Sequence, residues 1–164
     1  MTTYLTMQDR IAREMRGFNS AAASKVEREI KNAIQGAIRF YERRRFYFNT
    51  KTSTFPTVAS QEYYGASDLA DIPGIVVIDS ATLTLAGSYK RPLRIVPFET
   101  IDLAQDGQIT GDPEFIAAYA QEIRAYPIPN AVRTVTLAYV YRPAALAADG
   151  DSNAWTTDAE ELIR

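Results

Sequence analysis

Residues 24–45 read SKVEREIKNAIQGAIRFYERRR, and no other segment of the chain has so long a helical period. Its apolar residues recur every three or four positions, a spacing that places them on one face of an α-helix. They are Val26, Ile30, Ala33, Ile34, Ala37, Ile38 and Tyr41. We expect one long amphipathic helix whose apolar face needs a partner: another helix, a sheet or a neighbouring subunit. Gly36 in its middle costs about 1 kcal/mol relative to Ala, which a close helix crossing would explain.

A shorter helix is predicted before the long one. Thr6 followed by Asp9 forms a weak capping box, and Gly17 is typical of a helix C-terminus. A short connector follows, and Ser20 or Ser24 caps the long helix. Two helices joined by so few residues predict a helical hairpin at the N-terminus.

From Phe46 onward the apolar period falls to two, which is typical of β-strands. The segments that we expect to be extended are 46–55, 57–64, 75–78, 81–85, 89–96, 114–119, 121–126 and 133–141. Of these, 81–85 with 89–96 and 114–119 with 121–126 read as hairpins, and a short helix falls within 97–104. Thr157 to Glu160 reads as a capping box that begins a last helix.

Helices first and strands afterwards predict an α+β fold rather than alternating α/β. We expect an N-terminal helical hairpin with one long helix packed on antiparallel β-hairpins, in a small sheet or sandwich, plus a truncated C-terminal helix. A strong helix start that stops at Arg164 suggests a missing natural extension. A length of 164 residues fits one domain. Its parts are a helical part at 1–45, a β-rich part at 46–143, and a loop with the start of the C-terminal helix at 144–164.

The composition excludes several kinds of chemistry. The chain has no His and no Cys, so it lacks the commonest general base, the commonest transition-metal ligand, thiolate nucleophiles and disulfides. We therefore predict no catalytic residues, no metal and no cofactor. The balance of 18 basic and 20 acidic residues gives a net charge of −2, which argues against tight phosphate binding over the whole surface. No secretory leader or membrane-length apolar run is visible, so we expect a soluble protein without membrane contact, made in a cytoplasm.

Three motifs have competing interpretations. The run from Arg39 to Phe48 is either a basic, aromatic surface for nucleic acid or a helix end whose arginines offset the dipole before a strand begins. Asp149, Asp151 and Asn153 resemble the start of a calcium loop, although the glycine expected at the sixth position is Ala154. The simpler interpretation is a polar turn before a helix cap. The single Trp, Trp155, is either a staple under the last helix or an interface anchor.

Acidic pairs offer a weak case for catalysis. The pairs are Glu27 with Glu29, Asp102 with Asp106, and Glu160 with Glu161. A glycosidase needs two carboxylates that flank a cleft, whereas positions 27 and 29 point to different faces of a helix. We therefore expect no enzymatic activity.

Several segments, taken in order, resemble the head-to-tail adaptor (connector) proteins of tailed bacteriophages, in particular those related to the tail accessory factor of short-tailed phages. They are YLTM and DRIA within 4–12, IRFYERRRFYFN at 38–49, QEYY at 61–64, IRAYPIP at 123–129, NAW at 153–155 and DAEELIR at 158–164. The resemblance covers nearly the whole chain.

The resemblance implies a structural virion protein at the head–tail junction, made in the cytoplasm of a bacterial host. It implies a homo-oligomeric ring, usually of twelve copies, between the portal protein and the tail or nozzle protein. Such a ring acts as an assembly platform and as a conduit for double-stranded DNA at genome ejection, without sequence-specific binding. It also implies that helix continuing past the final Leu-Ile-Arg docks on the portal.

We expect a set of basic, aromatic and C-terminal residues at the portal, tail or subunit interface. They are Arg39, Arg43, Arg44, Arg45, Tyr47, Trp155, Glu160, Glu161, Leu162, Ile163 and Arg164. Two other functions stay open. One is an aromatic-rich β module of a virion or cell-surface protein that binds carbohydrate or peptide. The other is a virion-associated cell-wall hydrolase that uses a carboxylate pair such as Asp112 and Glu114.

Overall fold

The structure, a computed structural model, describes three stretches of the chain: 2–15, 23–104 and 109–163. Contacts divide the chain into two compact units. The first unit joins Met1–Asn49 with Arg142–Arg164, so it is built from both ends of the sequence, and the second is the continuous segment Thr50–Tyr141. The single domain expected over 1–164 stays a prediction.

The described residues have an α+β content. Their helices are α1 (Tyr4–Glu14), α2 (Ala23–Tyr41), α3 (Phe98–Ala104), α4 (Ala154–Thr157) and α5 (Glu160–Ile163). Their strands are β1 (Thr50–Pro56), β2 (Tyr63–Tyr64), β3 (Ile75–Thr84), β4 (Lys90–Ile95), β5 (Thr110–Gly111), β6 (Phe115–Tyr119), β7 (Glu122–Tyr126), β8 (Ile128–Pro129) and β9 (Thr134–Tyr141). Four residues named in the sequence analysis lie outside the described residues, namely Gly17, Ser20, Asp106 and Arg164.

Helix α1 begins two residues earlier than predicted. The hydroxyl of Thr3, in extended conformation, accepts a hydrogen bond from the backbone N–H of Thr6 at 3.3 Å. Thr3 is therefore the N-cap, and Thr6 lies inside the first turn. A threonine oxygen that satisfies an unpaired N–H at a helix start fixes where the helix begins, so the predicted cap at Thr6 is wrong.

The apolar face of α2 is covered within the first unit. Val26, Ile30 and Ile34 are buried in one cluster with residues of α1 and of the C-terminal segment. Within its own unit the long helix thus packs against helices and their loop, and its packing on β-hairpins stays a prediction. Ala33 is exposed, and a Cβ at Gly36 would meet no atom within 4 Å, so the predicted close crossing is also wrong.

The turn after α2 ends the helix four residues before the predicted end. The buried side chain of Asn49 closes the turn: its Oδ1 accepts from the N–H of Phe46 and its Nδ2 donates to the carbonyl of Arg44, both at 2.8 Å. Phe46 and Phe48 consequently stack with their ring centroids 5.0 Å apart. They do not start a strand as predicted, because β1 begins only at Thr50.

The C-terminal segment contains two short helices instead of one. Asn153 caps α4: its side chain accepts from the backbone N–H of Trp155 at 2.9 Å, and the Thr156 hydroxyl accepts from the N–H of Asn153 at 3.0 Å. The capping box therefore lies four residues before the one predicted at Thr157. The helix is interrupted at Asp158, and α5 follows.

The second unit is built on a sheet that contains seven of the described strands, in the order β1-β9-β3-β4-β6-β7-β2. Neighbouring strands pair antiparallel, except β4 with β6, which are parallel. Strand β9 lies between β1 and β3, and its alternate residues Val135, Leu137 and Tyr139 are buried. A strand with period-two apolar residues and two neighbours forms the centre of such a core.

Two predicted strand boundaries change. Residues 75–78 and 81–85 form one strand, β3, with register shifts between Ile75 and Val77 and between Ile78 and Ser80. Only Tyr63–Tyr64 of the predicted segment 57–64 joins the sheet. The predicted strand partners β3 with β4, and β6 with β7, pair antiparallel.

Candidate interface surface

An open groove in the first unit collects arginines from two distant parts of the sequence. Its volume is about 640 Å³. Its charged lining residues are Arg39, Glu42, Arg43 and Arg142, and its apolar lining includes Ile38, Pro143, Leu146 and Trp155. We call this depression the basic groove. The end of α2 and the turn after it supply Arg39, Glu42 and Arg43. The segment that follows β9 supplies Arg142.

The charge of the basic groove is set by one internal ion pair. The Glu42 side chain, 10% exposed, accepts from Arg142 Nε at 2.9 Å and from Arg142 Nη2 at 2.8 Å. This two-pronged geometry is the strongest that a carboxylate and a guanidinium form, and it neutralises Glu42. Arg39 and Arg43 are exposed and make no ion pair with a described carboxylate. The groove therefore has two positive charges available for an outside carboxylate or phosphate.

Hydrogen bonds to backbone carbonyls hold the loop that lines the groove. Gln35 Nε2 donates to the carbonyl of Leu146 at 3.0 Å, and Asn153 Nδ2 donates to the carbonyl of Ala144 at 2.7 Å. Because these donors lie on α2 and at the α4 cap, secondary structure positions the loop. A surface supported in this way is pre-formed, which lowers the entropy cost of binding.

The Glu42–Arg142 pair could not be found from sequence reasoning, because its members are 100 positions apart. One local signal was present. Glu42 follows Ile38 by four residues, so an acid continues the predicted apolar face. A buried acid needs a positive partner, but nothing in the pattern identifies which one.

A second depression lies beside the start of the C-terminal helices. Its volume is about 420 Å³, and its lining residues are Phe46, Tyr47, Phe48, Asp158, Ala159, Glu161 and Leu162. We call it the aromatic shelf. Tyr47 is 78% exposed, and its hydroxyl donates to Asp158 Oδ1 at 3.0 Å. This hydrogen bond to a carboxylate raises the pKa of Tyr47, so the hydroxyl stays a donor at neutral pH.

Trp155 supports both depressions from the interior. It is 1% exposed, and its ring meets those of Phe46 and Phe48 edge-on, with centroids 6.0 and 5.1 Å away. Edge-to-face aromatic pairs are worth about 0.5–1.5 kcal/mol beyond their buried area. Of the two interpretations of this residue, the geometry favours a packing role. The ring is buried inside the unit and is not exposed to a binding partner.

The arginines that follow the groove make local contacts. The guanidinium of Arg44 lies 5.4 Å from the ring centroids of both Phe40 and Tyr41, a cation–π arrangement worth about 0.5–1 kcal/mol at an exposed site. Phe40 is 66% exposed, and Arg45 is exposed as well. The predicted basic, aromatic segment is thus on the surface, but its arginines do not form one patch: Arg39 and Arg43 line the groove, and Arg44 stacks on rings.

The predicted C-terminal interface residues separate by burial. Glu160 binds Arg10 of α1, whose Nη1 lies 2.7 Å from both carboxylate oxygens. Ile163 is buried in the core of the first unit. Glu161 and Leu162 are exposed on the aromatic shelf. Among the described residues of this run, Glu161 and Leu162 are therefore the exposed ones, while Arg164 lies outside the described residues.

The possible calcium ligands have separate structural partners. Asp149 binds Lys31 at 3.0 Å, and Asn153 caps α4. Asp151 accepts from the N–H groups of Ala147 and Ala148 at 2.8 and 2.7 Å, and these bonds lower its pKa. The geometry favours a polar turn before a helix cap.

The carboxylates proposed for a hydrolase also have partners of their own. Asp112 Oδ1 accepts from Arg133 Nε at 3.0 Å, and Glu114 Oε1 lies 3.4 Å from Arg91 Nη1. Each carboxylate is thus engaged by an arginine of its own. A glycosidase instead needs two carboxyl groups that face each other across a cleft.

Within the described residues, no group of three or more acidic side chains is arranged to hold a metal ion. None of the described helices is both long enough and apolar enough to cross a membrane.

The comparisons with known proteins agree with the resemblance of the ordered segments. A comparison with curated proteins found no match. The family model of the SU10 adaptor protein matches residues 2–164, which is nearly the whole chain. The chain therefore belongs to the SU10 adaptor protein family, a family of phage head–tail adaptors.

Proposed function

We propose that this protein is a non-enzymatic virion component that forms a ring between the portal and the tail or nozzle, and that DNA passes through this ring. The observation that carries the proposal is the match of the adaptor family over residues 2–164. The proposed ring acts as an assembly platform, with twelve copies as the expected number.

The surface chemistry of the first unit supports a role in protein contacts. The basic groove has a pre-formed loop, apolar lining and two unpaired positive charges, and the aromatic shelf exposes Tyr47 and Leu162 at 78% and 38%. Interfaces are enriched in aromatic residues and Arg. Both surfaces suit the docking of protein segments better than the turnover of a small substrate.

The net charge of the chain is compatible with a DNA conduit. At −2 for 164 residues, the protein as a whole does not attract phosphate, and DNA affinity rises with each basic contact. A wall with few basic contacts would let a duplex slide without being held.

An aromatic-rich β module is the second candidate. Tyr63, Tyr89 and Tyr119 of the second unit are 41%, 66% and 60% exposed, and exposed aromatic rings are common where a protein binds carbohydrate or peptide. A specific hit on a glycan array would favour this function over the adaptor.

Native mass spectrometry with the cognate portal protein tests the adaptor function. We expect the full-length natural chain to bind the portal as a stoichiometric ring. The double variant Tyr47→Ser/Leu162→Ser should weaken the complex if the aromatic shelf contributes, while Val132→Ser, which alters an exposed apolar residue of the second unit, serves as the matched control. Failure of the full-length chain to bind the portal would count against the function itself.

A further inference from the structure

Helix α3 presents an apolar side chain almost entirely to solvent. Leu103 is 87% exposed, the highest exposure among the large hydrophobic residues of the described chain. The other side of α3 is fixed: Ile101 is 1% exposed, and the ring of Phe98 stacks on Tyr119 with centroids 4.5 Å apart. Because the packing of Ile101 and Phe98 fixes the opposite side of α3, the side chain of Leu103 points into solvent.

Two carboxylates of α3 lie near Leu103. Glu99 lies four residues before Leu103 and three before Asp102, so it neighbours both on the helix surface, whereas Asp102 adjoins Leu103 in sequence and projects from an adjacent face. Glu99 is exposed. The side chain of Asp102 is 64% exposed and touches the buried Arg124 at 3.2 Å, and that arginine also binds Glu62. We call Glu99, Asp102 and Leu103 the acidic knob.

The basic groove has the complementary chemistry. Arg39 and Arg43 offer two positive charges, and Ile38 and Leu146 offer apolar lining. Its volume of about 640 Å³ falls in the range of about 300–1,000 Å³ that is typical of sites for compact ligands. A leucine with two neighbouring carboxylates would satisfy both kinds of lining at once.

We propose that the acidic knob of one copy of this protein docks into the basic groove of a second copy, with Leu103 against the apolar lining and Glu99 and Asp102 facing Arg39 and Arg43. This inference rests on the proposed assembly of the protein into a ring. The contact joins two different surfaces, so it is heterologous, and a heterologous contact repeated between copies generates a closed ring when its rotation closes.

Duplex DNA is the competing occupant of the groove. DNA phosphates would also bind Arg39 and Arg43. They would make no favourable contact with the apolar lining, however, and DNA binding would leave the exposure of Leu103 unexplained. The self-contact accounts for the exposed leucine, for the two carboxylates and for the two unpaired arginines together.

Disulfide trapping between two singly substituted chains tests the contact directly, because the natural chain has no Cys. Arg43→Cys and Leu103→Cys chains carrying different mass tags are mixed in a glutathione redox buffer. We expect the mixed disulfide to exceed both homodimeric products. Replacing Arg43→Cys by Glu27→Cys, an exposed position of α2 that does not line the basic groove, should remove this excess. A statistical mixture, or no mixed product, overturns the inference.

Charge reversal provides a second readout, the self-association of the full chain by sedimentation. Arg43→Glu and Leu103→Ser should each weaken it about tenfold, the scale expected for one truncated interface residue, and Val132→Ser should not. Adding Glu99→Arg to the Arg43→Glu chain should restore association. Equal effects of Leu103→Ser and Val132→Ser, or no restoration, contradict the contact.

The outcomes separate this inference from the proposed function. A chain that binds the portal but gives no excess of mixed disulfide keeps the adaptor function and rejects the knob-in-groove contact. A short DNA duplex that binds the wild-type chain but not Arg39→Glu, without an excess of mixed disulfide, assigns the groove to DNA and also rejects the contact.

Discussion

At the scale of single residues, a buried polar group joins β9 to neighbouring segments of the second unit. The hydroxyl of Tyr139 donates to Asp71 Oδ2 at 2.7 Å, and Lys51 Nζ lies 2.6 Å from the same oxygen. The hydrogen bond from Lys51, then that from Tyr139, lowers the pKa of Asp71 from its ordinary value of 3.8. Burial and the bond to Asp71 raise the pKa of Tyr139 to about 12, so its hydroxyl remains a donor.

We expect Asp71→Asn to lower the free energy of unfolding by about 1–3 kcal/mol at neutral pH, the scale of hydrogen bonds to a charged group. Because the folded-state pKa lies below the unfolded value, the contribution of Asp71 is present above about pH 4 and is lost as pH falls through the folded pKa. Urea unfolding of wild type and variant between about pH 7 and pH 3 should therefore show the difference shrinking. Glu114→Gln, an exposed carboxylate with a 3.4 Å ion pair, is the control that should change little. A difference independent of pH would contradict this role.

At the scale of elements, the helix ends were the least predictable part of the sequence. The period of α2 correctly placed Val26, Ile30 and Ile34 inside, because a 3.6-residue repeat is a local property. Its end depended on Asn49, which closes a turn outside the helix. The pattern likewise placed the last helix cap at Thr157 and not at Asn153, because the true start depends on the packing of Trp155 of α4 against Phe46 and Phe48.

The competing caps give a direct comparison of variants. We expect Asn153→Ala to lower the free energy of unfolding of the first unit by about 1 kcal/mol, the usual cost of losing an N-cap, with further loss because its amide also holds Ala144. Thr157→Ala should cost less, since Thr157 lies at the end of α4. Thermal unfolding followed by Trp155 fluorescence measures both. A larger cost for Thr157→Ala would place the helix start where the sequence pattern predicted it.

At the scale of the whole molecule, sequence order alone could not predict the division into two units. The first unit combines Met1–Asn49 with Arg142–Arg164, and the basic groove exists only because those segments meet at Glu42 and Arg142. The α+β content, the strand at 133–141 and the family were available from periodicity and from ordered local segments. The groove and the exposed Leu103 were not, because they depend on contacts that no local pattern records.

We propose that this chain acts through contacts with copies of itself and with its neighbours in the virion. An electron-microscopy map of the assembled tail, with the chain identified by a bound fragment or label, tests that claim most directly. We expect a ring of this protein between portal and tail, with the DNA path through its centre. Density for the chain elsewhere in the particle, or its absence from the particle, would contradict it.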